Sequence, residues 1–347
     1  MGVRLQDRDT ELIRAIYEIG DGLLARRHIQ ALFWPDSTED AMRKRLKKLN
    51  ETGYIFWPDK KAYHAWGIPE SVVYLDWLGI LWIARQSGVE VAAPAAINEN
   101  QRRLLEKALR KEGISWRRAF TRNIAHDLQV IDFRLAVRRA LRELPDFGLQ
   151  TWIPERTLRV WQHRVTYTAK NEKGERQQKE RGVIPDGVFI IKDQRRDRKA
   201  RCLLELDMAS HSNRSFLDDK VLPYAAYISS PVYCQSYGAN SGRWLIVVAA
   251  GKKRLKNLLN QMEKIAEEKA ALFLFTTTGR VQGANVLTSP IWRQPGKKES
   301  VALVDVEPVT IPVRAGDGVQ GATGSVRVRP VTLKRAVTVW KRDASSR

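Results

Sequence analysis

The stretch VIPDGVFIIKDQRRDRKARCLLELDMAS, from Val183 to Ser210, reads as two apolar strands joined by a polar, strongly basic turn. Three acids interrupt the apolar runs: Asp186, Glu205 and Asp207. Strand interiors disfavour Asp and Glu, and burying an unpaired carboxylate is costly. Adjacent strands can turn Asp186 and Glu205 to the same side. The two-residue side-chain period puts Glu205 and Asp207 on one strand face. Three converging carboxylates would repel one another, and Mg²⁺ would neutralise them with hard oxygen ligands. Such an ion activates water and stabilises charge on a scissile phosphate. The competing reading is structural: Pro185-Asp186-Gly187 as a turn, and Glu205 and Asp207 as ion-pair partners of Arg201 or Arg214.

Around this core the chain alternates in type. Arg122 to Leu144 reads as a long amphipathic helix with a buried stripe of Ile124, Leu128, Ile131, Leu135 and Leu141. His126, Asp127, Asp132 and Arg134 lie along it. Leu158 to Ala169 alternates like a strand, and KNEKGERQQKER reads as a charged loop. After the two acid-bearing strands, Asn213 to Ser229 reads as a helix that Pro223 should kink. An apolar strand over Leu245 to Ala249, an amphipathic helix over Lys252 to Lys269 and a short strand over Leu272 to Thr276 follow. The order predicts an α/β core, a mixed sheet with helices on both faces.

The first ninety residues have a different pattern. Leu12, Ile13, Ile16 and Ile19 recur at helical spacing, and Gly20-Asp21-Gly22 stops that helix. A short helix over Ala25 to Phe33 follows. In STEDAMRKRLKKLNETGY, Ser37 and Asp40 have capping-box spacing. Met42, Leu46 and Leu49 face inward, while Arg43, Lys44, Lys47 and Lys48 line the opposite side. YIFWPDKKAYHAW then reads as a hairpin whose tip carries Lys60 and Lys61. Three helices and a basic hairpin predict a winged helix, its third helix in the major groove and its wing on phosphate or the minor groove. VVYLDWLGILWIA, Val72 to Ala84, reads as one buried helix, too short for a bilayer and carrying Asp76.

Composition agrees with a polyanion partner. The chain of 347 residues has 60 Lys and Arg against 39 Asp and Glu, a formal charge of +21. Double-stranded DNA is the polyanion this favours. Cys202 and Cys234 lack neighbours at metal-ligand spacing and read as reduced thiols of a cytosolic protein. The N-terminal stretch has no signal-peptide apolar core, and no membrane association is expected.

The back half resembles the PD-(D/E)XK nuclease core, the fold of many restriction and repair endonucleases. Pro185-Asp186 and Glu205-Leu206-Asp207 occupy the positions of that motif. The family pattern has Lys where this chain has Asp207. Related nucleases can carry the lysine on the following helix, which makes Lys220 in FLDDKVLPYAAY the candidate, with Tyr224 one turn later. The resemblance therefore implies catalysis by Asp186, Glu205, Asp207 and Lys220, and Mg²⁺ or Mn²⁺ held by the three acids. His211, His126 and Asp132 are weaker candidates near the same place.

The whole layout narrows the resemblance. Arg8-Asp9-Thr10-Glu11-Leu12-Ile13, then Asp132-Phe133-Arg134, IPDG, LELD and a Lys-x3-Tyr helix look like the replication-relaxation family. Those proteins are encoded on bacterial plasmids, phages and integrative elements. The resemblance implies a nucleoid-associated protein working beside element-encoded replication or transfer proteins; a homodimer is compatible with it. The expected organisation is a winged helix over 1–90, a helical connector over 91–118, a nuclease-like domain over 119–295 and a basic tail over 296–347. Two functions fit: a metal-dependent DNA endonuclease or nickase, or a non-catalytic DNA-binding regulator or replication accessory with a degenerate nuclease core.

Overall fold

The computed structural model of the chain describes residues 4–59, 70–89, 99–114, 123–170, 174–209 and 212–304. The first element is α1 (Asp7–Glu18), which buries Leu12, Ile13 and Ile16. Gly20 then turns the chain; a Cβ there would lie 1.9 Å from the Leu23 carbonyl oxygen, so no other residue fits without a shift. Next come β1 (Leu23–Ala25), α2 (Arg26–Phe33), α3 (Glu39–Glu51), β2 (Ile55–Phe56) and β3 (Val72–Leu75). The strands form an antiparallel sheet in the order β1-β3-β2. Val72–Leu75 is therefore a strand rather than the start of a helix. Its run of Val, Val and Tyr suits a sheet, and the Asp76 carboxylate accepts from the Trp77 N–H to open α4 (Trp77–Gln86). The cap of α3 is Thr38, one residue after the expected Ser37. Residues 60–69, which include Lys60, Lys61 and the far half of the expected hairpin, lie outside the described residues.

α5 (Glu99–Lys111) packs Leu109 on the front core. α6 (Ile124–Arg142) comes next and has two buried faces instead of one. Ile124, Leu128 and Ile131 belong to the front core, with Leu135 against it. Phe133, Ala136, Val137 and Ala140 belong to the core under the large sheet, and Leu141 packs there too. A helix wedged between two apolar layers needs apolar residues around most of its circumference, and a one-stripe reading undercounts them.

The large sheet has seven strands in the order β12-β11-β10-β9-β8-β7-β4. β4 (Phe147–Pro154) pairs antiparallel with β7 (Gly187–Asp193), and β7 with β8 (Arg198–Asp207). β8, β9 (Arg243–Val248) and β10 (Phe273–Thr277) run parallel. β11 (Trp292–Arg293) and β12 (Ser300–Val301) close the far edge antiparallel. The fold is thus mixed α/β. α6 and α13 (Thr278–Gly283) cover one face. The other carries α8 (Asn213–Phe216), a π-helical segment (Leu217–Val221), α9 (Leu222–Ile228), α10 (Pro231–Tyr237) and α11 (Gly251–Met262). The expected kink at Pro223 takes the form of that π segment. Proline has no N–H for the carbonyl four residues back, and the helix changes register just before it. The amphipathic run to Lys269 breaks into α11 and α12 (Glu267–Ala270).

Two further expectations are overturned. Leu158 starts no strand: α7 (Glu155–Trp161) occupies that stretch, and β5 is Arg164–Lys170. The charged loop also contains a strand, β6 (Arg176–Gly182), paired antiparallel with β5 in a separate two-stranded ribbon. Its residues are almost all exposed, so no apolar alternation marks it. The sheet also runs past residue 295, with Leu303 and Val304 buried. Residues 305–347 lie outside the described residues. Among the described residues no helix is long and apolar enough to cross a membrane.

Asp9 is fully buried in the front module. Its carboxylate takes the Gln6 N–H at 2.7 Å and the Arg45 Nε–H at 2.7 Å. This pair ties α1 to α3 and explains why Arg45 does not join the exposed face of Arg43, Lys44, Lys47 and Lys48. Arg45→Ala is expected to cost about 3–5 kcal/mol by stranding a buried carboxylate. Lys44→Ala and Lys48→Ala should stay within about 0.5 kcal/mol of wild type. Urea titration of the three variants checks this.

Candidate functional site

Gly187 pairs with Leu204 across β7 and β8, so Asp186 and Glu205 stand opposite each other on adjacent antiparallel chains. The Asp186 N–H donates to the Leu204 carbonyl at 2.9 Å, and the Leu206 N–H donates to Asp186 Oδ2 at 2.7 Å. These bonds fix the Asp186 carboxylate on the rim of the strand. Gly187 leaves room beside it for Trp152 of β4; a Cβ would meet the indole at 3.0 Å, a tight contact that the ring would have to relieve. From α6, His126 Nε2 reaches Asp186 Oδ2 at 3.1 Å, while its Nδ1 faces Asp127 at 3.4 Å.

Glu205 is held by the helical layer behind β8. Lys220 Nζ lies 2.8 Å from Glu205 Oε1. The Tyr224 hydroxyl donates to Glu205 Oε2 at 2.6 Å and accepts from Lys220 at 3.0 Å. Lys220 sits in the π segment and Tyr224 in α9, four residues apart on one helical face. Tyr224 is further fixed by stacking on Trp244, ring centroids 3.7 Å apart. Burial pushes the Glu205 carboxyl up, and the Asp186 charge adds to that; Lys220 and Tyr224 pull the other way. Burial opposes the charge on Lys220, but Glu205 more than restores it and raises the ammonium. The pair therefore joins a raised ammonium to a raised carboxyl, each shift caused first by burial or by the partner. Burial, and then Glu205, push the Tyr224 phenol well above its usual range.

Asp207 does not join this group. Alternation puts it on the Glu205 face, but two residues along a strand is about 6.6 Å. Its carboxylate is clamped by Arg254 of α11, with Nε–Oδ2 at 2.9 Å and Nη2–Oδ1 at 3.1 Å. The sequence offered Arg201 or Arg214 as partners; Arg201 instead donates to the Tyr237 carbonyl, and the Arg214 side chain lies outside the described residues. Among the described residues no three His, Cys, Asp or Glu side chains form a group able to hold a metal ion. A cation shared by carboxylates would have only Asp186 and Glu205 from the expected three. Of the weaker candidates, His126 reaches the site. Asp132 lies further along α6, bound to Arg27 and His28. His211 lies outside the described residues.

Sequence reasoning missed Arg254 and Arg181. Arg181 of β6 bonds Asp219 beside Lys220. It belongs to the ribbon that reads as a loop, and Arg254 is an ordinary polar position of an amphipathic helix. Neither carries a motif.

The fold and site together define an α/β protein with a paired-carboxylate and lysine centre at a strand rim, joined to a basic helical module. A family model described as replication-relaxation matches residues 14–242, most of both halves, and the chain belongs to that family. Membership points to a role in the replication or relaxation of mobile elements. No curated protein matches the chain.

Burial opposes the charge on His126, but its bonds to Asp127 and Asp186 raise the imidazole to about 10, from 6.5. A raised histidine stabilises the fold fully below pH 6.5 and loses that contribution as pH rises through 10. In chelator, the urea midpoint of the wild type should therefore fall across this window more steeply than that of His126→Gln. Parallel curves would remove the pairing.

Proposed function

We propose that this chain is a metal-dependent DNA endonuclease or nickase acting on mobile-element DNA. The observation that carries the reading is the opposition of Asp186 and Glu205 across β7 and β8, with the Lys220 ammonium on Glu205. The strand order and helical layers around this pair support a PD-(D/E)XK core, in which Lys220 on the following helical segment replaces the strand lysine. The order α1, β1, α2, α3, β2, β3, with the sheet order β1-β3-β2, supports a winged helix in front. The exposed Arg43, Lys44, Lys47 and Lys48 on α3 are then its DNA contacts.

The donor set suits Mg²⁺ or Mn²⁺. Two neighbouring carboxylates offer hard oxygens, and the negative charge of Asp186 adds to burial in raising Glu205. When bound by Asp186 and Glu205, the ion supplies a Lewis acid and an activated water. The chain's own groups do the rest. Lys220 presents a fixed positive charge where a phosphate would gain negative charge, and the Tyr224 hydroxyl bonds both the ammonium and Glu205. His126 orients Asp186 from the other side. The Leu206 N–H keeps the Asp186 carboxylate from rotating.

A second reading is favoured by the closure of Glu205, whose two oxygens are both engaged, and by the loss of Asp207 to Arg254. A non-catalytic DNA-binding regulator or replication accessory would have such a self-satisfied centre. Supercoiled plasmid separates the two. The nuclease nicks or linearises it with Mg²⁺ or Mn²⁺ and stops in chelator. Asp186→Ala abolishes cutting, and Lys220→Met slows it about 10²-fold or more, with duplex affinity unchanged. Binding without cutting in every divalent ion would establish the regulator.

A further inference from the structure

The C-terminal half of α6 carries Arg138, Arg139 and Arg142, all exposed. With Arg27 of α2 and Gln282 of α13 they line a cleft of about 460 Å³ between the front core and the sheet. Arg138 and Arg142 are four residues apart, so their like charges repel on the helix surface. Arg27 is committed to Asp132 and Glu70. Among the described residues, Arg138, Arg139 and Arg142 have no carboxylate within ion-pair reach. The arginines therefore form a cluster with no ion-pair partner of their own among the described residues. Burial, reinforced by the charge of Arg138, pushes the neighbouring Arg134 guanidinium down to about 9.

We infer that this cleft is a second groove for the DNA backbone, whose phosphates supply the missing counter-charge. The inference rests on the DNA reading above and adds a site to it. A guanidinium fork matches phosphate oxygens bidentately. Asp132 also lines the cleft, but Arg27 and His28 saturate its carboxylate. Among the described residues that line the cleft there is no Phe, Tyr or Trp ring against which a free nucleotide base would stack. The arginines follow His126 by 12 to 16 residues, and at 3.6 residues per turn they point roughly 120–220° away from it around α6, so the cleft is a site separate from the acid pair.

The test is duplex binding by the full chain, followed by fluorescence anisotropy over a salt series in chelator. The variants are R138A/R139A/R142A, the glutamine triple R138Q/R139Q/R142Q and the lysine triple R138K/R139K/R142K. Loss of three phosphate contacts lowers the slope of log K against log salt by about 2.7 and weakens binding at least about tenfold. The lysine triple keeps most of the slope. The exposed positions leave the melting midpoint unchanged, and the glutamine triple serves if the alanine one unfolds. A wild type that binds DNA with neutral triples of equal affinity and slope overturns the groove and leaves the DNA reading intact. A wild type that binds no duplex overturns both. Stabilisation of the wild type by ATP or inorganic phosphate, lost in the triples and not displaced by duplex, would assign the cleft to a small phosphate and overturn the groove.

Discussion

The packing of α6 between two apolar layers is the constraint on which the rest of the molecule depends. Ile124, Leu128 and Ile131 close the front core, and Phe133, Val137 and Ala140 close the core under the sheet. The polar residues between these stripes are used at the junction. Asp132 takes Arg27 and His28 from α2, and the Arg134 guanidinium donates to the carbonyls of Glu18 and Ile19. Arg156 of α7 reaches the Tyr17 carbonyl at 3.2 Å and bonds Asp21. α1 has no basic residue in its own last turn. Two arginines from the back half satisfy carbonyls that a helix end leaves without partners, where positive charge is favoured. The basic module and the sheet are thereby bound as one body.

That joint also positions the acid pair. α6 begins where His126 meets Asp186 and ends beside the arginine cluster. A shift of α6 would move the imidazole, the front module and the cleft together. The other side of the centre is independent of α6. Glu205, Lys220 and Tyr224 are held by β8, the π segment and the Tyr224–Trp244 stack. The centre thus lies where two layers meet, with one acid fixed from each.

Much of each family motif serves structure here. Asp9 of the RDxxLL-like stretch is a buried partner of Arg45, and Asp132-Phe133-Arg134 is a junction, a core residue and a second junction. The glycine of IPDG makes room for Trp152. Of LELD, Glu205 faces Lys220 while Asp207 is spent on Arg254. A short acidic motif does not distinguish a ligand from an ion-pair partner, because both need a carboxylate on the same strand face.

The sequence by itself determined the α/β class, the basic face of α3, the two acid-bearing strands and the lysine four residues before Tyr224. Each rests on local periodicity: two residues for a strand, between three and four for a helix. Strand β6 escaped because an exposed ribbon has no apolar alternation, and Val72–Leu75 because a short apolar run suits a strand or a buried helix equally. Only the tertiary structure decided that Asp186 opposes Glu205, that Lys220 reaches it, and that Asp207 belongs to Arg254. Those outcomes depend on strand register and on which helix lies above which strand, and such long-range relations leave no spacing in the chain to read.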